Sequence, residues 1–152
     1  MNPSILSGTR GHLVKQLNFF DERKSIFFDL YFPQPNQEKE IVSKQIERYI
    51  QTLENLLAHD DQTLDQSLKT VTLLGSSVKI RFEEDGTDET FTVVYPTEIE
   101  PELNRISFLS PIGRQLLLAS RSDRLTLHTP ASRQPVQIVE VKYAYIGGFS
   151  AC

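Results

Sequence analysis

Over the first sixty positions, apolar residues recur every three to four places. Leu13, Leu17, Phe20, Phe27 and Tyr31 make one such stripe, interrupted by Lys24. This spacing predicts a helix from about Ser7 to Phe32, with Ser7 or Thr9 as its expected cap. The segment Pro33-Gln34-Pro35-Asn36-Gln37 ends it, because proline cannot continue a helix and pushes the preceding residue toward extended backbone. A second stripe follows in Ile41, Gln45 or Ile46, Tyr49, Ile50, Leu53, Leu56 and Leu57. It predicts a helix from about Glu38 to His59. Asn36 is its expected N-cap, and Glu38 and Glu40 fall in the first turn, where the helix dipole favours acids. Helices joined by so short a loop are expected to pack antiparallel, each about 33 Å long.

The polar stretch His59 to Gln66 weakens the helical period, although a short helix near Asp61–Lys69 fits. The expected domain boundary lies between this stretch and Gly75, giving a helical hairpin over 1–74 and a second domain over 75–152. From Ser77 the period becomes two. Val78, Ile80 and Phe82 alternate with Lys79, Arg81 and Glu83, the pattern of a half-buried strand. Glu84-Asp85-Gly86-Thr87-Asp88 reads as a turn, with Gly86 suited to a positive φ. Glu89–Tyr95 reads as the return strand and Pro96–Asn104 as a connection. Further strands are expected at Arg105–Leu109, Leu125–Thr129 and Val136–Tyr145, with a short helix at Pro111–Ala119. The fold class is therefore α+β, an N-terminal helical hairpin followed by an antiparallel sheet packed on one short helix.

Charge and composition narrow the picture. The net charge of −4 disfavours a general DNA-coating role. No apolar run approaches the roughly 20 residues needed to span a bilayer, and the N-terminus has no secretory pattern. No membrane association is therefore expected. The single cysteine, Cys152, is compatible with a reducing cytoplasm, where the protein is expected to reside. Between Arg105 and Lys142 six basic residues (Arg105, Arg114, Arg121, Arg124, Arg133, Lys142) face two acids (Asp123, Glu140), whereas two basic residues and eight acids lie between Ser76 and Asn104. Such asymmetry suits electrostatic steering toward a charged partner; ordinary scatter is the alternative reading.

The most distinctive stretch is Ser110-Pro111-Ile112-Gly113-Arg114-Gln115-Leu116-Leu117. Ser110 can cap a helix whose first position is Pro111, and Gly113 permits close backbone approach. Downstream come Ser122-Asp123, Leu127-His128-Thr129-Pro130 and Val139-Glu140-Val141-Lys142-Tyr143. In order and spacing these blocks resemble the C-terminal domain of Gre transcription elongation factors, over roughly the second half of the chain. Two turns depart from the family pattern. Ser122-Asp123 stands where Gly-Asp is usual, and Ala131-Ser132-Arg133-Gln134 stands where a glycine-containing hairpin is common.

The resemblance implies a fold like that of FKBP-type prolyl isomerases and docking on RNA polymerase through Ser110, Pro111, Ile112, Gly113 and Arg114. It also implies indirect contact with nucleic acid in the transcription complex. Family cleavage factors present an acidic pair at a hairpin tip, where it helps hold a second magnesium ion. Here the expected tip is Pro33, Gln34, Pro35, Asn36, Gln37 and Glu38; Pro33–Gln37 contains no carboxylate, and the nearest acids are Asp29, Glu38 and Glu40. The layout is closer to Gre-like regulators with short or altered hairpins, such as the regulator of nucleoside diphosphate kinase.

The first expectation is thus a non-enzymatic, Gre-like factor, without a metal or cofactor of its own, that binds RNA polymerase near its secondary channel, modulates elongation or initiation and does not stimulate transcript cleavage. A true cleavage-stimulating factor using Glu38 or Glu40 is one alternative. An interaction module that no longer binds polymerase is another. A prolyl isomerase would need an aromatic-walled pocket, and the aromatics Phe82, Phe91, Tyr95, Phe108, Tyr143, Tyr145 and Phe149 are scattered. Asp60, Asp61 and Asp65 read as a solvated helix end rather than a metal site. His12, His59 and His128 lack the spacing of a ligand set.

Overall fold

The hairpin is held along its length by side chains that pair in opposite order. The computed structural model describes residues 3–144, with side chains from Gly8 onward. Tyr145, Phe149 and Cys152 lie outside the described residues. Helix α1 spans Pro3–Tyr31 and helix α2 spans Gln37–Leu57. Arg10, near the start of α1, reaches the carbonyls of Leu57 and His59 at the end of α2. In the middle, Phe20 meets Tyr49 edge to face at 5.8 Å, and the Tyr49 hydroxyl donates to Gln16 Oε1. Near the tip, the Lys39 ammonium sits 5.8 Å from the Phe28 ring centroid. This reversed order makes the pair antiparallel, as the short connection predicts.

The apolar stripes close on one another. Leu13, Phe20, Phe27, Ile46, Tyr49, Leu53 and Leu56 are buried, and Leu17, Lys24, Tyr31, Ile50 and Leu57 are half-buried. Each fully buried large apolar side chain contributes about 1.5–3 kcal/mol. Three details differ from expectation. Helix α1 already runs from Pro3, so Ser7 and Thr9 lie inside it and neither is its cap. Arg23 adopts non-helical angles (φ −121°, ψ 19°), which interrupts α1, although the apolar stripe continues through Phe27 and Tyr31. Beyond the break Ile26 and Leu30 face solvent, at 60% and 67% exposure. In α2 the buried residue of the first turns is Val42; Ile41 is half exposed at 50%.

Asn36 caps α2 as predicted, its side chain accepting from Lys39 N at 2.8 Å. Helix α3 spans Asp61–Leu68. The chain separates into two compact units within it, between Leu64 and Asp65, ahead of Gly75 where the hydrophobic period changes. The three acids of this region each have their own partner. Asp60 accepts from Thr63 N at 2.8 Å, and this hydrogen bond holds its carboxyl below the usual carboxylate range. Asp61 pairs with Arg10 at 2.8 Å and Asp65 with Lys69 at 3.4 Å.

The second unit is a five-stranded sheet, in the order β3-β2-β1-β5-β4. Its strands are β1 Ser76–Phe82, β2 Asp88–Val94, β3 Arg105–Ser107, β4 Arg124–His128 and β5 Arg133–Tyr143. The alternation read from the sequence holds in β1, where Val78 and Ile80 are fully buried. Gly86 takes a positive φ of 72° in the β1–β2 turn. The sheet is not wholly antiparallel, because β3 runs parallel to β2, with Thr92 opposite Arg105 and Val94 opposite Ser107. The reason lies in the connection. Two 3-10 turns, Pro96–Glu98 and Pro101–Leu103, carry the chain back toward the start of the β2 pairing before β3 begins. Helix α4 spans Pro111–Leu116, shorter than predicted. It ends where Leu118 adopts a positive φ of 68° and donates to Thr72 O.

Arg10 ties the base of the hairpin through two carbonyls and one carboxylate. Truncation to Ala should lower the stability of the hairpin by about 1–2 kcal/mol, since the group is partly exposed and its hydrogen bonds are charge-assisted. Urea denaturation followed by circular dichroism at 222 nm measures this.

Candidate docking turn and hairpin tip

The Ser110–Arg114 turn is built by a short network that begins at the end of β3. Ser107 O accepts from both Ser110 N (3.0 Å) and the Ser110 hydroxyl (2.7 Å). The same hydroxyl oxygen accepts from Gly113 N at 3.1 Å, which makes Ser110 the N-cap of α4 as predicted. Ser107 Oγ accepts from Leu109 N at 3.0 Å. Pro111 occupies the first helical position, where a missing N–H costs nothing.

Gly113 is buried and required by the packing. A Cβ built there would lie 2.0 Å from Ser107 O and 2.9 Å from Ser107 C, distances no side chain tolerates. The close approach expected of this glycine is thus made to the backbone of β3. Of the remaining turn residues, Pro111 is exposed and Ile112 and Arg114 are half-buried. Arg114 Nη2 donates to Leu109 O at 3.1 Å, so its guanidinium also braces the turn that it flanks. The five residues read from sequence are therefore contiguous in space, with Pro111 the most accessible.

Sequence reasoning missed Gln115. Its amide donates to Pro111 O at 2.7 Å and to His128 O at 2.7 Å, and its Oε1 accepts from His128 N at 2.9 Å. No sequence signal marks this, since residues thirteen apart meet only through the tertiary fold.

The two atypical turns keep workable shapes. Ser122 takes the positive φ (77°) that a glycine would adopt more easily. Thr129 and Ser132 exchange backbone hydrogen bonds at 2.9 and 3.3 Å, closing the β4–β5 hairpin around Pro130 and Ala131 without a glycine.

The charge asymmetry of the sequence is partly offset by the strand order. Arg124 lies 3.7 Å from Glu83, Lys79 lies 3.9 Å from Glu140 and Arg81 lies 2.8 Å from Asp88. The Arg81 hydrogen bond holds the Asp88 carboxyl below its usual range, and hydrogen bonds from Thr87 do the same for Asp85. The open depression bounded by Phe82, Glu84, Asp85, Thr87, Glu89, Gln134 and Pro135 has one aromatic ring in its lining and is not an aromatic-walled pocket.

At the other unit's tip, Pro33, Gln34, Pro35 and Asn36 form the loop, and Gln37 and Glu38 open α2; all six are exposed. Ahead of the loop in the chain, Phe27, Phe28 and Phe32 are buried, with ring centroids 5.1 to 6.3 Å apart. Asp29 lies on α1 before the loop, and Glu40 pairs with Lys44 at 3.8 Å. Among the described residues no group of three or more His, Cys, Asp or Glu side chains could hold a metal ion, and no helix is long and apolar enough to cross a membrane.

Residues 66–143 match the family described as "Transcription elongation factor, GreA/GreB, C-term". The chain is 38% identical over 98 residues to transcription elongation factor GreA of Chloroflexus aurantiacus, covering 64% of this chain and 62% of that protein. It is 33% identical over 86 residues to transcription elongation factor GreB of Neisseria meningitidis, covering 55% and 52%. Matches to these relatives thus span less than two thirds of their length. Among solved structures, a GreA/GreB factor from Nitrosomonas europaea aligns at a TM-score of 0.44 with 33% identity, covering 49% of this chain and 62% of that one. GreA factor homolog 1 of Thermus thermophilus aligns at 0.44 with 24% identity, covering 87% and 93%.

Gly113→Ala should cost about 2–3 kcal/mol, because the added methyl meets backbone that cannot step aside. Gly11→Ala, inside α1 with nothing within 4 Å of the added Cβ, should instead stabilise by about 0.5–1 kcal/mol. Paired urea titrations of the two variants compare the shifts.

Proposed function

This chain belongs to the GreA/GreB transcription elongation factor family, and on that premise we propose that it binds bacterial RNA polymerase near the secondary channel. The Ser110–Arg114 turn is the docking edge in this reading. The observation that carries it is the family match over residues 66–143 together with a turn that presents Pro111 to solvent on a rigid support. An accessible apolar ring beside a half-buried Ile and an Arg has the chemistry of an interface anchor. The hairpin would occupy the channel or its entrance, and the protein would act through the polymerase rather than as an enzyme. A cytoplasmic location follows from that partner.

The same reading holds that the protein does not stimulate transcript cleavage. A weakly held magnesium ion needs hard oxygen ligands, preferably carboxylates. The segment Pro33–Gln37, the loop and the first residue of α2, offers amides and stiff prolines instead. Glu38 supports the alternative of a true cleavage factor, because it is exposed in the first turn of α2, next to the loop.

Binding of the full chain to core RNA polymerase should weaken about tenfold or more in Ile112→Asp, with an unchanged circular dichroism spectrum. Normal affinity in a folded variant would place the docking edge elsewhere. With a stalled elongation complex and end-labelled RNA, addition of the protein should give no shortening above the intrinsic rate. Robust shortening that vanishes in Glu38→Gln would establish the alternative.

A further inference from the structure

We infer that Gln115 is a positioning residue for polymerase docking. Its side-chain amide locks the first turn of α4 onto the edge strand β4, so that Pro111 is presented at a fixed place. The inference rests on the docking reading of Ser110–Arg114.

The chemistry is a full match of donors and acceptors. A primary amide offers two N–H donors and one carbonyl acceptor. Gln115 uses all three groups, since Nε2 donates to Pro111 O and His128 O while Oε1 accepts from His128 N. Strand β4 is the outer strand of the sheet beyond β5. Thr129 bonds back across the hairpin to Ser132, so the alternation of an antiparallel ladder turns the N–H and C=O of His128 outward, away from β5. Those are the groups that a further strand would bind. Gln115 takes the place of one residue of such a strand, and its second N–H holds the carbonyl of the very residue most exposed in the docking turn.

Helix α4 is only six residues long, too short to be stable through its own hydrogen bonds. Its N-terminal end is tied to β3 by the Ser107–Ser110–Gly113 network. Gln115 supplies a second tie, to β4. With both in place the turn cannot swing about the β3 junction, and binding does not have to immobilise it.

The test compares Gln115→Met, which keeps the length of the side chain but has no amide, with Pro111→Ala and the double variant. Affinity of the full chain for core RNA polymerase is the readout, alongside hydrogen exchange of the His128 amide. The expected result is binding about five- to tenfold weaker in Gln115→Met. In the Pro111→Ala background the same change should have little further effect, and His128 exchange should accelerate. A general loss of stability would lower affinity equally in both backgrounds, and that outcome would overturn the inference. Normal binding by Gln115→Met, with binding weakened by Pro111→Ala, would also overturn it while leaving the docking reading intact. Normal binding by Pro111→Ala and Ile112→Asp alike would overturn both.

Discussion

The contact between Gly113 and the carbonyl of Ser107 governs the C-terminal unit's most distinctive surface. No atom larger than hydrogen fits on the Cα of residue 113. Because of that, α4 can lie against the backbone of β3, and Ser110 can bridge the two with one hydroxyl. The strand that receives this contact has three residues and pairs on one side with β2 in parallel. Such a short strand would be a weak support alone. Phe108, buried at 1% exposure, and its N–H bonded to Val94 O at 2.9 Å, extend the anchoring beyond the last paired residue. The turn therefore inherits its position from the sheet rather than from its own helix.

In the hairpin, side-chain contacts tie the two helices at the base, in the middle and near the tip. At the base, one guanidinium gathers the closing carbonyls of α2 and the first acid of α3. Near the tip, the rings of Phe27, Phe28 and Phe32 are buried and pack on one another. Between them lies the break at Arg23, where α1 loses its regular angles. The aromatic cluster near the tip runs on into the middle of the hairpin, because Phe27 meets Phe20 at 6.3 Å and Phe20 meets Tyr49 at 5.8 Å.

What could be read in the sequence was local chemistry. The caps at Asn36 and Ser110 were legible because each acts within three residues, and so were the two helical stripes and the alternation of β1. The start of α1 was misplaced because Ser7 and Thr9 have cap chemistry but sit where the helix is already under way. Ile41 and Val42 are neighbours of equal hydrophobicity, and only the phase set by the partner helix decides which is buried. The direction of β3 depends on the path of the turns before it, which no periodicity in three residues can encode. Of the candidate docking turn, the five residues Ser110–Arg114 were legible from their motif. The brace from Gln115 was not, because it joins a helix to a strand thirteen residues on.

The placement of β1 in the middle of its sheet has a consequence for how the chain is made. Its two neighbours are β2, which follows at once, and β5, whose last residues come near the end of the described chain: Ser76 pairs with Tyr143. Closing so long a loop is slow compared with forming a local hairpin. During synthesis the helical pair can assemble early from neighbouring contacts, while β1 waits with one edge unsatisfied until β5 leaves the ribosome. The C-terminal unit therefore completes its sheet only after Tyr143 has emerged. A nascent chain stalled before Arg133 would expose the apolar strand Val78–Ile80 to aggregation.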